Sequence, residues 1–246
     1  MKILYFDCSS GISGDMVVGA LLDSGLSIEM LRRELVKLKL EKFNIEKQKV
    51  RRGELVGTKF DIKSKVPFGE ASHSTVHRSF KEITRLIDKS SLKINIKINA
   101  KKIFSNLAAA EKKAHGIKGD NVHFHQLGEI DSIIDIVGVC IGFDALCIDK
   151  FYSSPVISGV GVINDKYGVL PNPGPAALNL LKGAQVEFKD SPHELITPTG
   201  AAVLKTFCNG FGKMPAMKVE GIGYGAGNRI YPGLPNLLRI VIGKSC

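Results

Sequence analysis

Long apolar runs are missing from this chain. No stretch approaches the roughly 20 uninterrupted apolar residues that a bilayer span requires. The longest, from Ile133 to Leu146, is broken by Asp135 and Asp144. The opening MKILYFDCSS turns polar too soon for a signal-peptide core and reads as a first buried strand. A cytoplasmic protein with no membrane partner is expected. Paired cysteines are missing too. Cys8, Cys140, Cys147, Cys208 and Cys246 form an odd set without a CxxC motif, which speaks against a disulfide framework and a structural zinc site. Cys140 and Cys147 fall in an apolar helical pattern and read as core, whereas Cys8 lies where the first strand meets a glycine turn. Aromatics are sparse at 7%, and no stacking series accompanies the lysines between Lys37 and Lys118. The net charge of +10 therefore reads as a solvated lysine surface, and next as a field that steers a small anion, ahead of a nucleic-acid face. Internal repeats and low-complexity tracts are absent.

What is present is an ordinary globular composition, 44% hydrophobic and 24% charged over 246 residues. Ile3 to Phe6 reads as a strand. Met16, Val17, Ala20 and Leu21, then Ile28, Leu31, Leu35 and Leu38 beyond Gly25, have helical spacing. Phe43–Val50 and Leu55–Ile62 read as two strands turning at Arg52-Gly53. Further helices are expected over Val76–Ile87, Ile98–Ala114, Glu129–Leu146, Pro175–Leu181 and Thr199–Cys208. Strands are expected over Val156–Val162 and Leu237–Ile242, and a loop over Pro67–Thr75. The fold class is α+β or α/β, a mixed sheet flanked by helices, in one domain over 1–246 with a sub-boundary near 66–76.

The densest set of ligand-type side chains is VHFHQLGEIDSIIDIVG, from Val122 to Gly138. His123 and His125, one residue apart, project to one side of an extended segment. Asp131 and Asp135, four apart, share a helix face. Two imidazoles and two carboxylates suit a borderline divalent metal. Asp135 carries most weight, because a carboxylate among Ile133, Ile134, Ile136 and Val137 costs free energy unless it has a partner. Glu129 is read as a cap, a ligand or a support for a histidine. His115 reads as the cationic end of a helix.

Two turns carry anion-type donors. DCSSGISGDM, from Asp7 to Met16, offers Ser13 and Gly14 at a helix start, with Asp15 just inside it. ELITPTGAAVL, from Glu194 to Leu204, offers Thr197 and Thr199, with Thr199 as the expected N-cap. GIGYGAGNR, from Gly221 to Arg229, reads as a glycine-rich turn presenting Tyr224 and Arg229 to an anion.

These blocks occur together, in order, with GALLDSG, HRSFKEI, SSPVISGVG, GVLPNPGPA and PNLLR. In this the chain resembles, nearly end to end, the LarC-type nickel-insertion proteins of nickel-pincer cofactor synthesis. The resemblance implies CTP-dependent cyclometallation, in which Ni(II) enters pyridinium-3,5-bisthiocarboxylic acid mononucleotide through one nickel–carbon and two nickel–sulfur bonds. The residue pattern and the resemblance agree on His123, His125, Asp131 and Asp135 as metal ligands, and a mechanism consistent with these residues takes Asp15, His115 or Asp135 as the base. Ser13, Gly14, Thr197, Thr199, Tyr224 and Arg229 are the anion-binding candidates. The chain departs from the family pattern at Gln126, where the family has Glu, and in keeping only His73 and His77 of a histidine-rich run. The family's C-terminal CTP-binding domain, the expected seat of CTP with Mg(2+) or Mn(2+), is absent, so a C-terminal fragment of the same system is an expected partner. A homo-oligomer is compatible with the sequence. A non-catalytic nickel-delivery module and a metal-dependent phosphoester hydrolase are the alternative readings.

Overall fold

The computed structural model describes residues 1–41, 43–64, 78–116, 129–165 and 168–246. The expected first strand is β1 (Lys2–Asp7), followed by α1 (Gly14–Asp23) and α2 (Ile28–Leu35). Gly25, at φ +115, makes the break between the two helices. A 3-10 turn over Val36–Leu38 leads to β2 (Phe43–Arg52) and β3 (Leu55–Ser64), which pair antiparallel as expected around Gly53.

Next come α3 (Phe80–Lys89), α4 (Ile94–His115) and α5 (Ile130–Ala145). The start of α3 is a capping box, with the Ser79 hydroxyl on the Glu82 N–H and the Glu82 carboxylate on the Ser79 N–H. α4 stops at Gly116, whose φ of +64 suits glycine. The sub-boundary expected near 66–76 falls mostly outside the described residues, as do His73 and His77.

The rest of the chain is β4 (Lys150–Ser153), β5 (Val156–Ser158), β6 (Val162–Asp165), β7 (Gly168–Pro171), α6 (Pro175–Leu180), β8 (Val186–Phe188), α7 (Pro198–Phe207), β9 (Gly210–Phe211), β10 (Met217–Ala226) and β11 (Leu237–Ser245). The single strand expected over Val156–Val162 is two strands. Between them Gly161 takes φ +87, and a Cβ on Gly159 would strike the carbonyls of Ser191 and His193, so the backbone leaves the β5–β8 pair there.

The main sheet is mixed and seven-stranded, in the order β2-β3-β10-β11-β1-β4-β9. β1 runs antiparallel to β11 and parallel to β4, a α+β arrangement. Side chains alternate across it. Leu4, Phe6, Leu238 and Ile240 point to one face and are fully buried under the helices. Phe143 of α5, Phe151 of β4 and Phe207 of α7 meet there, with ring centroids 4.6–5.0 Å apart.

GIGYGAG, expected as a turn, is most of β10. Its glycines serve α1. A Cβ on Gly223 would strike the Ala20 carbonyl, and one on Gly225 the Met16 carbonyl. The helix therefore lies directly on the strand backbone, a closeness only glycine allows.

Candidate metal and anion site

The turn between β1 and α1 is tied to the turn before α7. Ile12 N–H donates to the Leu195 carbonyl (2.8 Å) and Thr197 N–H to the Ile12 carbonyl (3.1 Å). A Cβ on Gly200 would strike the Ile12 carbonyl. The N-terminus of α1 and that of α7 are thus brought side by side. Thr197, not Thr199, is the N-cap of α7, accepting from Gly200 N–H at 3.2 Å. The reason is Pro198, which occupies the first helical position, where no N–H is needed, and so places the cap before it. Thr199 is released for another task. Its hydroxyl lies 2.8 Å from that of Thr197 and accepts from the Gly14 N–H at 3.3 Å.

α5 completes the site. Asp135, one turn after Asp131, lies against Gly14 so closely that a Cβ there would sit 2.9 Å from Asp135 Oδ2. The Asp15 N–H donates to the Asp135 carboxylate, whose Oδ1 is buried and has no partner among the described residues. Burial, then the charges of Asp15 and Asp131, push the Asp135 carboxyl well above the ordinary range. Asp15 is raised as well, chiefly by burial, against hydrogen bonds from the Ser13 hydroxyl and the N–H groups of Met16, Asp15 and Asn228. Asp131, the most open of the three, is raised by burial and by Glu129. Asp15 and Asp135 keep some accessible surface although protein surrounds them, which places them in a recess.

The geometry has a chemical meaning. Three carboxylates beside two helix N-termini profit from the helix dipoles, yet their mutual repulsion remains. Their protonation or a bound cation relieves it. Left without a partner among the described residues, Oδ1 of Asp135 carries a cost of about 1–3 kcal/mol. A cation seated here would in turn offer a place for an anion beside the Ser13, Thr197 and Thr199 hydroxyls.

His123 and His125 lie outside the described residues, as does Gln126. Among the described residues no group of three His, Cys, Asp or Glu is arranged to hold a metal. Glu129 is the N-cap position of α5 and makes no side-chain cap. His115, in the last turn of α4, has Nε2 3.2 Å from Glu111 Oε2. Tyr224 is not brought to the recess. Its N–H donates to Asp23 at the other end of α1, and its hydroxyl bonds Arg239 on the opposite face of the sheet. Cys8 is a core residue. Its thiol, 3.5 Å from the Ser153 hydroxyl, is pushed up to about 12 by burial and is inert at neutral pH.

Arg229 is adjacent to the recess, since the N–H of its neighbour Asn228 serves Asp15. Its guanidinium pairs with Glu194 at 3.2 Å. Sequence reasoning missed Tyr231 here. Its ring stacks on His193 at 4.0 Å and 11°, and its hydroxyl donates to the Glu194 carbonyl. Only the turn-like YPG around Tyr231 hinted at a held loop.

The family model of the nickel insertion proteins matches residues 4–246. The chain belongs to that family. A protein of Geobacillus kaustophilus, named pyridinium-3,5-bisthiocarboxylic acid mononucleotide nickel insertion protein, is 45% identical over 99% of this chain and 60% of its own length. Its namesake in Acetivibrio thermocellus is 43% identical over 100% of this chain and 61% of its own length. The chain thus spans about three-fifths of the curated relatives it matches. No solved structure matches it. No helix among the described residues is long and apolar enough to cross a membrane.

Proposed function

We propose that this protein takes part in nickel insertion into pyridinium-3,5-bisthiocarboxylic acid mononucleotide, by CTP-dependent cyclometallation, in the cytoplasm. The observation that carries the reading is the unpartnered buried oxygen of Asp135 in a recess of three carboxylates, within a chain of the nickel insertion family. Nickel here is a substrate. Asp131 and Asp135, with His123 and His125 from the preceding segment, present it. The Ser13, Thr197 and Thr199 hydroxyls and the Gly14 turn hold the anionic part of the mononucleotide, with Arg229 at the rim.

Forming the nickel–carbon bond releases a ring proton. Of Asp15, His115 and Asp135, Asp15 is best placed to take it. It lies beside the ligand Asp135, is fixed by Ser13, and is raised by burial toward the range a base needs. CTP with Mg(2+) or Mn(2+) is assigned to the part of the family outside this chain.

A second reading follows from the chain spanning three-fifths of its relatives: a nickel-holding module that completes insertion only with the remaining region. Mixing the chain with nickel, CTP-Mg and the mononucleotide, with mass spectrometry of the product, separates the two. A nickel adduct, lost in Asp135→Asn and in His123→Ala, supports insertion by these residues. Nickel retained by the wild type and lost by the same variants, with no adduct, supports the holding module. Nickel binding indifferent to both substitutions would sink the site.

A further inference from the structure

Arg52 ends β2 and is only 9% exposed. Among the described residues it forms no ion pair, and its Nε has no hydrogen-bond partner. A buried guanidinium without an acid costs stability, so packing alone does not account for it. Its bonds go to main-chain carbonyls. Nη1 donates to Arg51 at 3.4 Å and Nη2 to Gly227 at 3.0 Å. A neutral donor would satisfy either carbonyl with less to desolvate.

The Gly227 carbonyl belongs to the peptide between Gly227 and Asn228, and the N–H of that same peptide serves the Asp15 carboxylate. The peptide is trans, so its carbonyl and its N–H point in opposite directions. Arg52 therefore holds one side of a rigid plate whose other side faces the recess. The guanidinium lies at the negative end of the peptide dipole and the Asp15 carboxylate at the positive end, an alignment favourable at both. Such a plate needs holding. Residue 227 must be glycine, because a Cβ would lie 2.6 Å from Asn236 Nδ2, and glycine leaves the peptide after it free to rotate. The rest of the loop has its own anchors. Gly227 N–H donates to the Asn236 carbonyl at 3.1 Å, Asn236 Nδ2 to the Arg229 carbonyl at 2.8 Å, and the Tyr231 hydroxyl to the Glu194 carbonyl at 3.2 Å. None of these fixes the direction of the Gly227 carbonyl; Arg52 does.

We propose that Arg52 is a positioning residue for Asp15. Through the Gly227–Asn228 peptide it keeps an N–H aimed at the Asp15 carboxylate, and so fixes where that carboxylate stands in the recess. The placement follows from geometry; its use in moving a ring proton rests on the nickel-insertion reading.

The test is hydrogen exchange at the Asn228 N–H, followed by NMR in the metal-free, isotope-labelled chain, which requires neither nickel nor mononucleotide. Arg52→Met keeps the bulk and removes the donors. It should speed this exchange about tenfold, with core amides of α7 such as Val203 unchanged. Arg52→Lys, which retains a cation and a donor, should speed it less. Asp15→Ala should speed it too, and adding Arg52→Met to that variant should do nothing further. In the insertion assay Arg52→Met should lower the maximal rate about tenfold and leave nickel affinity unchanged. Unchanged exchange at Asn228, acceleration shared by the α7 amides, additive effects of the two substitutions, or an unaltered rate beside lowered nickel affinity would overturn the proposal. A wild-type chain that forms no adduct would count against insertion by this chain alone, and the exchange result would still decide the role of Arg52.

Discussion

Asp15 and Asp23 stand at opposite ends of the same helix and titrate in opposite directions. Asp15 lies at the N-terminal end of α1, where the dipole favours a negative charge, and yet its carboxyl is raised. Asp23 lies in the last turn, where the dipole opposes a charge, and its carboxyl is lowered. Burial acts upward on both. At Asp23 it is outweighed by the Lys49 ammonium, the Thr58 hydroxyl and the Tyr224 N–H at 2.9 Å. At Asp15 the donors are neutral, and the neighbouring charge is the carboxylate of Asp135. The local partner set therefore decides, not the dipole or burial alone. Asp23 is a finished structural contact; Asp15 and Asp135 are left incomplete in a way that a cation would complete.

The sharpest way to break this contrast is Asp135→Asn. Nickel affinity measured by titration calorimetry should fall about 100-fold, the upper range for disturbing a metal site. The metal-free protein should keep its stability or gain about 1 kcal/mol, because a buried unpaired charge is removed. Lost stability with unchanged nickel affinity would make Asp135 a structural residue like Asp23. The mirror experiment is Asp23→Asn. It should cost about 2 kcal/mol in urea unfolding, as expected for a charged acceptor losing buried donors, with nickel affinity unchanged.

A third experiment uses pH. Asp15 and Asp135 have raised folded values, so their contribution to stability is present below the ordinary carboxylate range near 4 and is lost as pH rises through those values. Asp23, with a lowered value, contributes above that range and loses its contribution as pH falls through it. Metal-free wild type should therefore lose stability relative to Asp135→Asn as pH is raised from about 4 to 7. Stabilisation by nickel should grow over the same interval. A difference independent of pH would remove the raised carboxylates from the account. The smallest effect is expected from Lys49→Met. Lys49 is 65% exposed and Asp23 10%, so losing the pair should cost at most about 1 kcal/mol.

Part of the recess was legible in the sequence. Asp135 stood out as a carboxylate in an apolar helix, and helical spacing located α5 to within a residue at each end. Thr199 was found for the wrong reason, because Pro198 moves the cap to Thr197 and leaves Thr199 to hold the Gly14 N–H. Tyr224 and Arg229 were grouped by adjacency in one glycine-rich segment. A strand sends them apart, Tyr224 to the sheet face away from α1 and Arg229 to the rim of the recess. The two-stranded break at Gly161 and the short strands β4, β7, β8 and β9 escaped notice because runs of two to four residues have no periodicity to read.

By itself the sequence determined local facts: that helices lie near Phe80–Lys89, Ile94–His115 and Ile130–Ala145, that Gly116 ends the second of them, and that the longest apolar run is helical and interrupted by acid. Period and capping act over a few residues, so they can be read in one dimension. Only the tertiary structure decided that Asp15 and Asp135, 120 positions apart, would meet, and that the glycines of β10 are flat to receive α1 rather than bent to make a turn. Both depend on which backbone lies against which, and that is settled when the sheet and its helices pack, by contacts between residues far apart in the chain.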